Sequence, residues 1–196
     1  MIYIYFGFGA GKTSASLGKV IRALANDKKI YYAQFLKNDN TSEAKWLKSQ
    51  ENIRYTNTNS SLRLNEKDIQ KVNEILKDLI ENIDNYDLIV LDELLVCLDR
   101  TINGNPILSK STFNLLTDMC YLKNKNMVIT GRVYSRDIRD YVTLKGDIVT
   151  NMYCKKHVFN RHCNHCNKDF EYYYNYCPIC ARKLTESRES IKGLDY

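Results

Sequence analysis

No stretch of this 196-residue sequence is apolar for long enough to cross a bilayer, and its first residues, MIYIYFGFGAGKT, lack the basic region, apolar core and cleavage site of a secretory signal. Membrane spanning and export are therefore not expected, and the chain reads as a soluble cytoplasmic protein. Internal repeats and low-complexity tracts are missing as well, which argues against a repeat architecture. Excess charge is scarce: the net charge is +6, and the basic residues are scattered through Asn-rich and Glu-containing stretches. That pattern reads as a solvated surface before a nucleic-acid face, and it suits an anionic small ligand equally well. Tryptophan occurs once, at Trp46 in a helical stretch, and reads as core before cofactor contact. At 44% hydrophobic, the chain can bury one α/β core plus a small appendage, not two full domains.

What is present alternates. An apolar, aromatic run at Ile2–Phe6 precedes a helical pattern from about Lys12 to Ala25, and a second strand-like run follows at Lys29–Phe35, the opening of a βαβ unit. Between Asn65 and Asn82, the residues Ile69, Val72, Ile75, Leu76, Leu79 and Ile80 share one helical face. The runs YDLIVL at Tyr86–Leu91 and NMVIT at Asn126–Thr130 predict strands buried on both faces, with a helix around Ser111–Leu122 between them. A helix near Ser135–Tyr141 and a last strand at Asp147–Met152 complete a doubly wound, mostly parallel sheet flanked by helices. Asn38–Thr41 and Thr56–Ser61 read as loops. Composition shifts at Asn160 to a Cys-, His- and Tyr-rich stretch. The expected organisation is a main α/β domain over 1–159, a small cysteine-rich module over 160–184 and a tail over 185–196.

Between the first strand and first helix stands Gly7-Phe8-Gly9-Ala10-Gly11-Lys12-Thr13-Ser14. Glycines let backbone amides approach phosphate oxygens, and the helix N-terminus adds favourable partial charge. Lys12 would reach the terminal phosphates and Thr13 would hold magnesium. Phe6 stands where the usual GxxxxGK[ST] spacing needs glycine, so this loop is one residue shorter. The YDLIVL strand runs into Asp92 and Glu93 at its carboxyl end, where open α/β sheets bind ligands. Asp92 would share the magnesium, directly or through water. Glu93 would activate water in a hydrolase, or serve metal or substrate in a transferase.

Seven cysteines in an exported protein would suggest disulfides, but four of these form two CxxC pairs, Cys163/Cys166 and Cys177/Cys180, which in an intracellular setting point to one tetrahedral zinc. Such a zinc would staple a stretch too short to build its own core. Asp169–Tyr176 (DFEYYYNY) suggests a hairpin between the knuckles. His162 and His165 adjoin the first pair, but four thiolates already satisfy the metal. A nucleic-acid or protein-docking surface built from Arg161, Lys168, Arg182 and the tyrosines is the functional alternative. Cys97, Cys120 and Cys154 read as core or strand cysteines.

The short GxGxGKT loop, Gln34-Phe35-Leu36-Lys37 with Ser42-Glu43, Leu91-Asp92-Glu93, Ile129-Thr130-Gly131-Arg132 with Arg136-Asp137-Ile138, Lys156-His157-Val158-Phe159 and a terminal Gly193-Leu194-Asp195-Tyr196 follow one another in an order that resembles the P-loop ATP:cob(I)alamin adenosyltransferases. The resemblance places the cysteine stretch as an insertion before the tail. It implies attack of a Co(I) corrinoid substrate on the 5′-carbon of ATP with loss of triphosphate. The loop amides, Lys12, magnesium and Arg132 would then position ATP and neutralise the leaving group. It further implies a flavoprotein reductant and a homodimer. Two departures stand out. Ala10 replaces a lysine common in the family, removing one phosphate contact. The aromatic segment ending in Phe-Thr-Trp is also missing: Arg54–Leu64 offers only Tyr55. Two other readings account for parts of the sequence: a type II thymidine kinase, which also joins a P-loop core to a four-cysteine module, and a non-enzymatic nucleotide-binding module that docks through its ribbon.

Overall fold

The computed structural model describes residues 1–60, 65–153, 160–170, 176–177 and 179–187. Cys154, Lys156–Phe159 with His157, and the terminal Gly193–Tyr196 lie outside the described residues. The chain divides into two units, Met1–Met152 and Tyr153–Tyr196.

The first unit runs β1 (Ile2–Phe6), α1 (Lys12–Leu24), β2 (Ile30–Gln34), α2 (Ser42–Lys48), β3 (Ile53–Asn57), α3 (Glu66–Asn82), β4 (Leu88–Asp92) and α4 (Leu94–Asp99). It continues through a small hairpin, β5 (Thr101–Ile102) and β6 (Asn105–Pro106), to α5 (Lys110–Leu122), β7 (Asn126–Gly131), α6 (Arg136–Lys145) and β8 (Ile148–Asn151). Six strands form one sheet in the order β3-β2-β4-β7-β1-β8, and every pairing is parallel.

Side-chain alternation divides the core in two. Ile2, Ile4, Tyr31, Ala33, Ile89, Leu91, Met127 and Ile129 face α3 to α6, while Tyr32, Val90 and Val128 face Val20 of α1 and Leu47 of α2. Helices therefore cover both faces, as the near-continuous apolar runs of β2, β4 and β7 require. Helix starts are written in side chains. Asn65 and Asp68 form a reciprocal capping box on α3, and Thr41, Ser109 and Ser135 each accept a main-chain N–H at the start of α2, α5 and α6.

Two expectations are corrected. Thr56 and Asn57, read as loop, belong to β3, an edge strand in which only Ile53 is buried. Backbone pairing with β2 extends a strand that polarity alone hides. Trp46 is not core: α2 turns Ala44 and Leu47 inward and leaves Trp46 37% exposed. Cys97 and Cys120 are buried, and burial raises both thiol pKa values, that of Cys120 to about 11.

Gly131 ends β7 with φ +154°, and a Cβ there would lie 2.8 Å from the Leu95 Cβ and 3.0 Å from its main-chain nitrogen. That close approach seats α4 against β7. We expect Gly131→Ala to cost about 2–3 kcal/mol, lowering the melting temperature by roughly 4–12 °C in calorimetry.

In the second unit β9 (Asn160–Cys163) pairs antiparallel with both β10 (Lys168–Phe170) and β11 (Thr185–Ser187). The β9–β10 hairpin thus wraps the first cysteine knuckle, and most of the hairpin expected over Asp169–Tyr176 lies outside the described residues. Residues 185–187, expected in the tail, form the third strand of this sheet.

Candidate active site and cysteine cluster

The chain leaves β1 at Gly7, whose φ of +113° suits glycine and whose missing side chain leaves room for the Met152 carbonyl and Asn151 Oδ1. Hydrogen bonds from Met152 N to Phe6 O (2.7 Å) and from Gly9 N to Met152 O (2.8 Å) tie the loop to the end of β8. Gly11, at φ +99°, caps α1 without a side chain, so the helix opens on bare main-chain N–H groups. Ala10 and Ser14 are exposed beside them.

Lys12 is buried, and its Nζ donates to the carbonyls of Gly7 (2.8 Å) and Gly9 (2.9 Å). Burial lowers its pKa; the Glu93 carboxylate opposes that shift and the Arg132 guanidinium adds to it. Arg132 is exposed just beyond Gly131, which pairs with Phe6 at the mouth of the loop.

Asp92, at the end of β4, is fully buried and gathers donors from three directions. Thr13 Oγ1 lies 3.2 and 3.3 Å from its two oxygens, Thr130 Oγ1 donates at 2.7 Å, Gln34 Nε2 at 3.2 Å and Lys37 Nζ at 2.8 Å. A buried carboxylate persists only with such partners. Glu93 follows in the left-handed region (φ 64°), and its N–H donates to Thr130 Oγ1. The sequence-derived residues Gly7, Gly9, Ala10, Gly11, Lys12, Thr13, Ser14, Asp92, Glu93 and Arg132 all sit at the carboxyl edge of the sheet.

Sequence reasoning missed three contributors. In the sequence, Gln34 and Lys37 stand out only as parts of Gln34-Phe35-Leu36-Lys37, and Thr130 only as part of Thr-Gly-Arg. Each reaches Asp92 because β2 and β7 flank β4. Tyr55 also changes meaning. Its hydroxyl donates to Gln34 Oε1 (2.9 Å) and accepts from Asn57 Nδ2 (2.8 Å), and its ring stacks on Tyr32. Burial pushes its pKa up to about 12, so it stays a neutral brace for the residue that holds Asp92.

In the second unit, Sγ of Cys163 is 3.6 Å from that of Cys180, Cys177 Sγ is 3.8 Å from Cys166 Sγ, and all four sulfurs lie within 4.8 Å of one another. A tetrahedron with metal–sulfur bonds of 2.3 Å has edges of about 3.8 Å. Cys166 N and Ile179 N donate to Cys163 Sγ and Cys177 Sγ, and the first of these contacts helps lower the Cys163 pKa to about 6. Asn167 and Ala181, each directly after a second cysteine, take positive φ and close the two knuckles alike. Leu184 packs against the cluster.

A parallel sheet whose first strand passes through a glycine loop into a helix, with a lysine and a buried aspartate of a neighbouring strand beside it, defines a P-loop NTPase-like protein. The flagellar accessory protein FlaH from Methanocaldococcus jannaschii shares this fold, at a TM-score of 0.52 and 12% identity over 76% of this chain and 69% of that one. A KaiC-like protein from Pyrococcus horikoshii aligns at a TM-score of 0.47 and 10% identity, with the same coverage. No curated protein matches the chain. The model of the ATP:corrinoid adenosyltransferase family BtuR/CobO/CobP matches residues 1–172, and the chain belongs to that family of transferases. Its family acts on ATP and a corrinoid, and nothing in the fold favours the nucleoside-kinase or non-enzymatic readings. Among the described residues, no helix is long and apolar enough to cross a membrane.

Proposed function

We propose that this chain is a cytoplasmic enzyme that moves the 5′-deoxyadenosyl group of ATP onto the Co(I) of a reduced corrinoid. The Co–C bond forms with the cobalt's electron pair, the C5′–O bond breaks, and its pair leaves on triphosphate. The observation that carries this reading is the family match together with the convergence of Gly7–Thr13, Asp92 and Arg132 on one sheet edge. Because the substrate's own metal is the nucleophile, the chain needs no nucleophilic side chain. Its task is to hold ATP still and offset charge on the leaving triphosphate. The N–H groups of the loop and the first turn of α1 supply donors, and Lys12 and Arg132 supply positive charge.

Thr13 and Asp92 present hydroxyl and carboxylate oxygens of the kind Mg²⁺ selects, and when bound the ion would neutralise phosphate charge. Zinc fits the four cysteines, as the sulfur spacing supports. Zinc analysis should find roughly one ion per chain, and Cys177→Ser should lose nearly all of it, because three thiolates bind far more weakly than four. An equal zinc content in that variant would refute the site.

A Co(I) substrate needs an electron source, for which we assign a flavoprotein reductant, and we assign a homodimer to the enzyme, which light scattering tests. The direct test of function mixes protein, ATP, magnesium and chemically reduced cobalamin and follows the absorbance of the cobalt–carbon product. Folded, zinc-loaded protein that forms none refutes the assigned reaction.

A further inference from the structure

Lys37 stands where the sequence assigns no function. Its Nζ donates both to Thr13 Oγ1 (2.9 Å) and to Asp92 Oδ2 (2.8 Å), the two side chains read above as holding magnesium. Among the described residues whose side chains bond Asp92, Thr13, Thr130 and Gln34 are neutral, and Lys37 brings the charge. The chain is bent to deliver it. Leu36, a branched residue, is held in the left-handed region at φ 54°, a conformation that costs energy in any residue with a Cβ. Hydrogen bonds on both sides fix that bend: Leu36 N donates to Thr58 Oγ1 (2.9 Å) and Phe35 N to Asp92 O (2.9 Å). The Lys37 side chain stays 24% exposed, so the residue borders solvent, whereas Asp92 is fully buried.

We propose that Lys37 is an internal counter-ion that holds the Thr13–Asp92 pair in register while no divalent cation is present and yields its place when one binds. One carboxylate in a buried setting needs one source of positive charge, and a second cation brought among the same oxygens is repelled by the first. Lys37 therefore keeps the cation site assembled and sets the threshold at which a divalent ion takes it. The released amine remains next to the loop, available to the triphosphate. Lys37 is on this account a positioning residue, and the account rests on Thr13 and Asp92 being the divalent site.

The test titrates Mn²⁺ into the full chain with ATP, followed by electron paramagnetic resonance, for the wild type, Lys37→Met and Lys37→Arg. Lys37→Met should bind Mn²⁺ about tenfold more tightly, the scale of one lost charge-assisted contact. Lys37→Arg, which keeps the charge, should stay close to wild type. Thermal melts supply the second readout: Lys37→Met should melt below wild type in chelator and at or above it in saturating Mn²⁺ with ATP. Unchanged or weaker Mn²⁺ binding by Lys37→Met, or melts that do not converge on adding Mn²⁺, overturns the counter-ion role and leaves the magnesium reading standing. Wild type that binds no Mn²⁺ at millimolar concentration overturns both.

Discussion

Lys12→Ala should yield a folded protein whose adenosyl transfer falls by about 10²–10³-fold, the usual cost of one group that meets charge developing on a leaving group. Calorimetric titration with magnesium and ATP should give little heat. Stability should respond differently from activity. The folded-state pKa of Lys12 lies below its unfolded value because the amine is buried, so the unfolded chain binds the extra proton. The burial penalty is complete below the lowered pKa and fades as pH rises toward the ordinary lysine value. Near neutrality the alanine variant escapes that penalty while losing the two contacts to Gly7 and Gly9. Its melting temperature should therefore change little at neutral pH, and wild type should gain on it as the solution is made alkaline. A variant that keeps full activity would show that the phosphates bind elsewhere.

Asp92→Ala should damage both function and fold. It strands Thr13, Thr130, Gln34 and Lys37 at once, and of these Gln34 and Thr130 are fully buried and cannot turn to water instead. Breaking such a buried set costs about 3–5 kcal/mol, or roughly 6–20 °C in melting temperature for a chain of this size. Divalent-cation binding with ATP should disappear, and activity should fall by about 10²-fold or more if the metal is needed at the leaving group. Asp92→Asn, which keeps the shape but offers two donors where acceptors are required, should recover part of the stability and little of the activity. Retained Mn²⁺ affinity in Asp92→Asn would contradict the metal assignment.

The comparison of Lys12 with Lys37 explains why part of this site was legible in advance. Lys12 is announced by neighbours in sequence: glycines before it, Thr13 after it, a strand and a helix on either side. Those signals are short-range, because a phosphate cradle is made of consecutive main-chain groups. Lys37 has no such surroundings. Its meaning depends on β2 lying against β4, on the bend at Leu36 and on Thr58, which caps that bend from the end of β3. Tyr55 follows the same logic. In the sequence it is the lone aromatic of Arg54–Leu64, just before a run read as loop, and it proves to be two hydrogen bonds from Asp92 on an edge strand.

Local chemistry in the sequence therefore determined the alternating strands and helices, the glycine loop with Lys12 and Thr13, the Asp92 strand end and the paired cysteines, since each is specified within a few consecutive residues. Strand order decided the rest: with β4 seated between β2 and β7, residues separated by tens of positions converge on one carboxylate. Periodicity in a chain fixes which face a side chain takes, but it carries no information about which strand becomes its neighbour, and that adjacency is what turns Gln34, Lys37 and Thr130 into parts of a site.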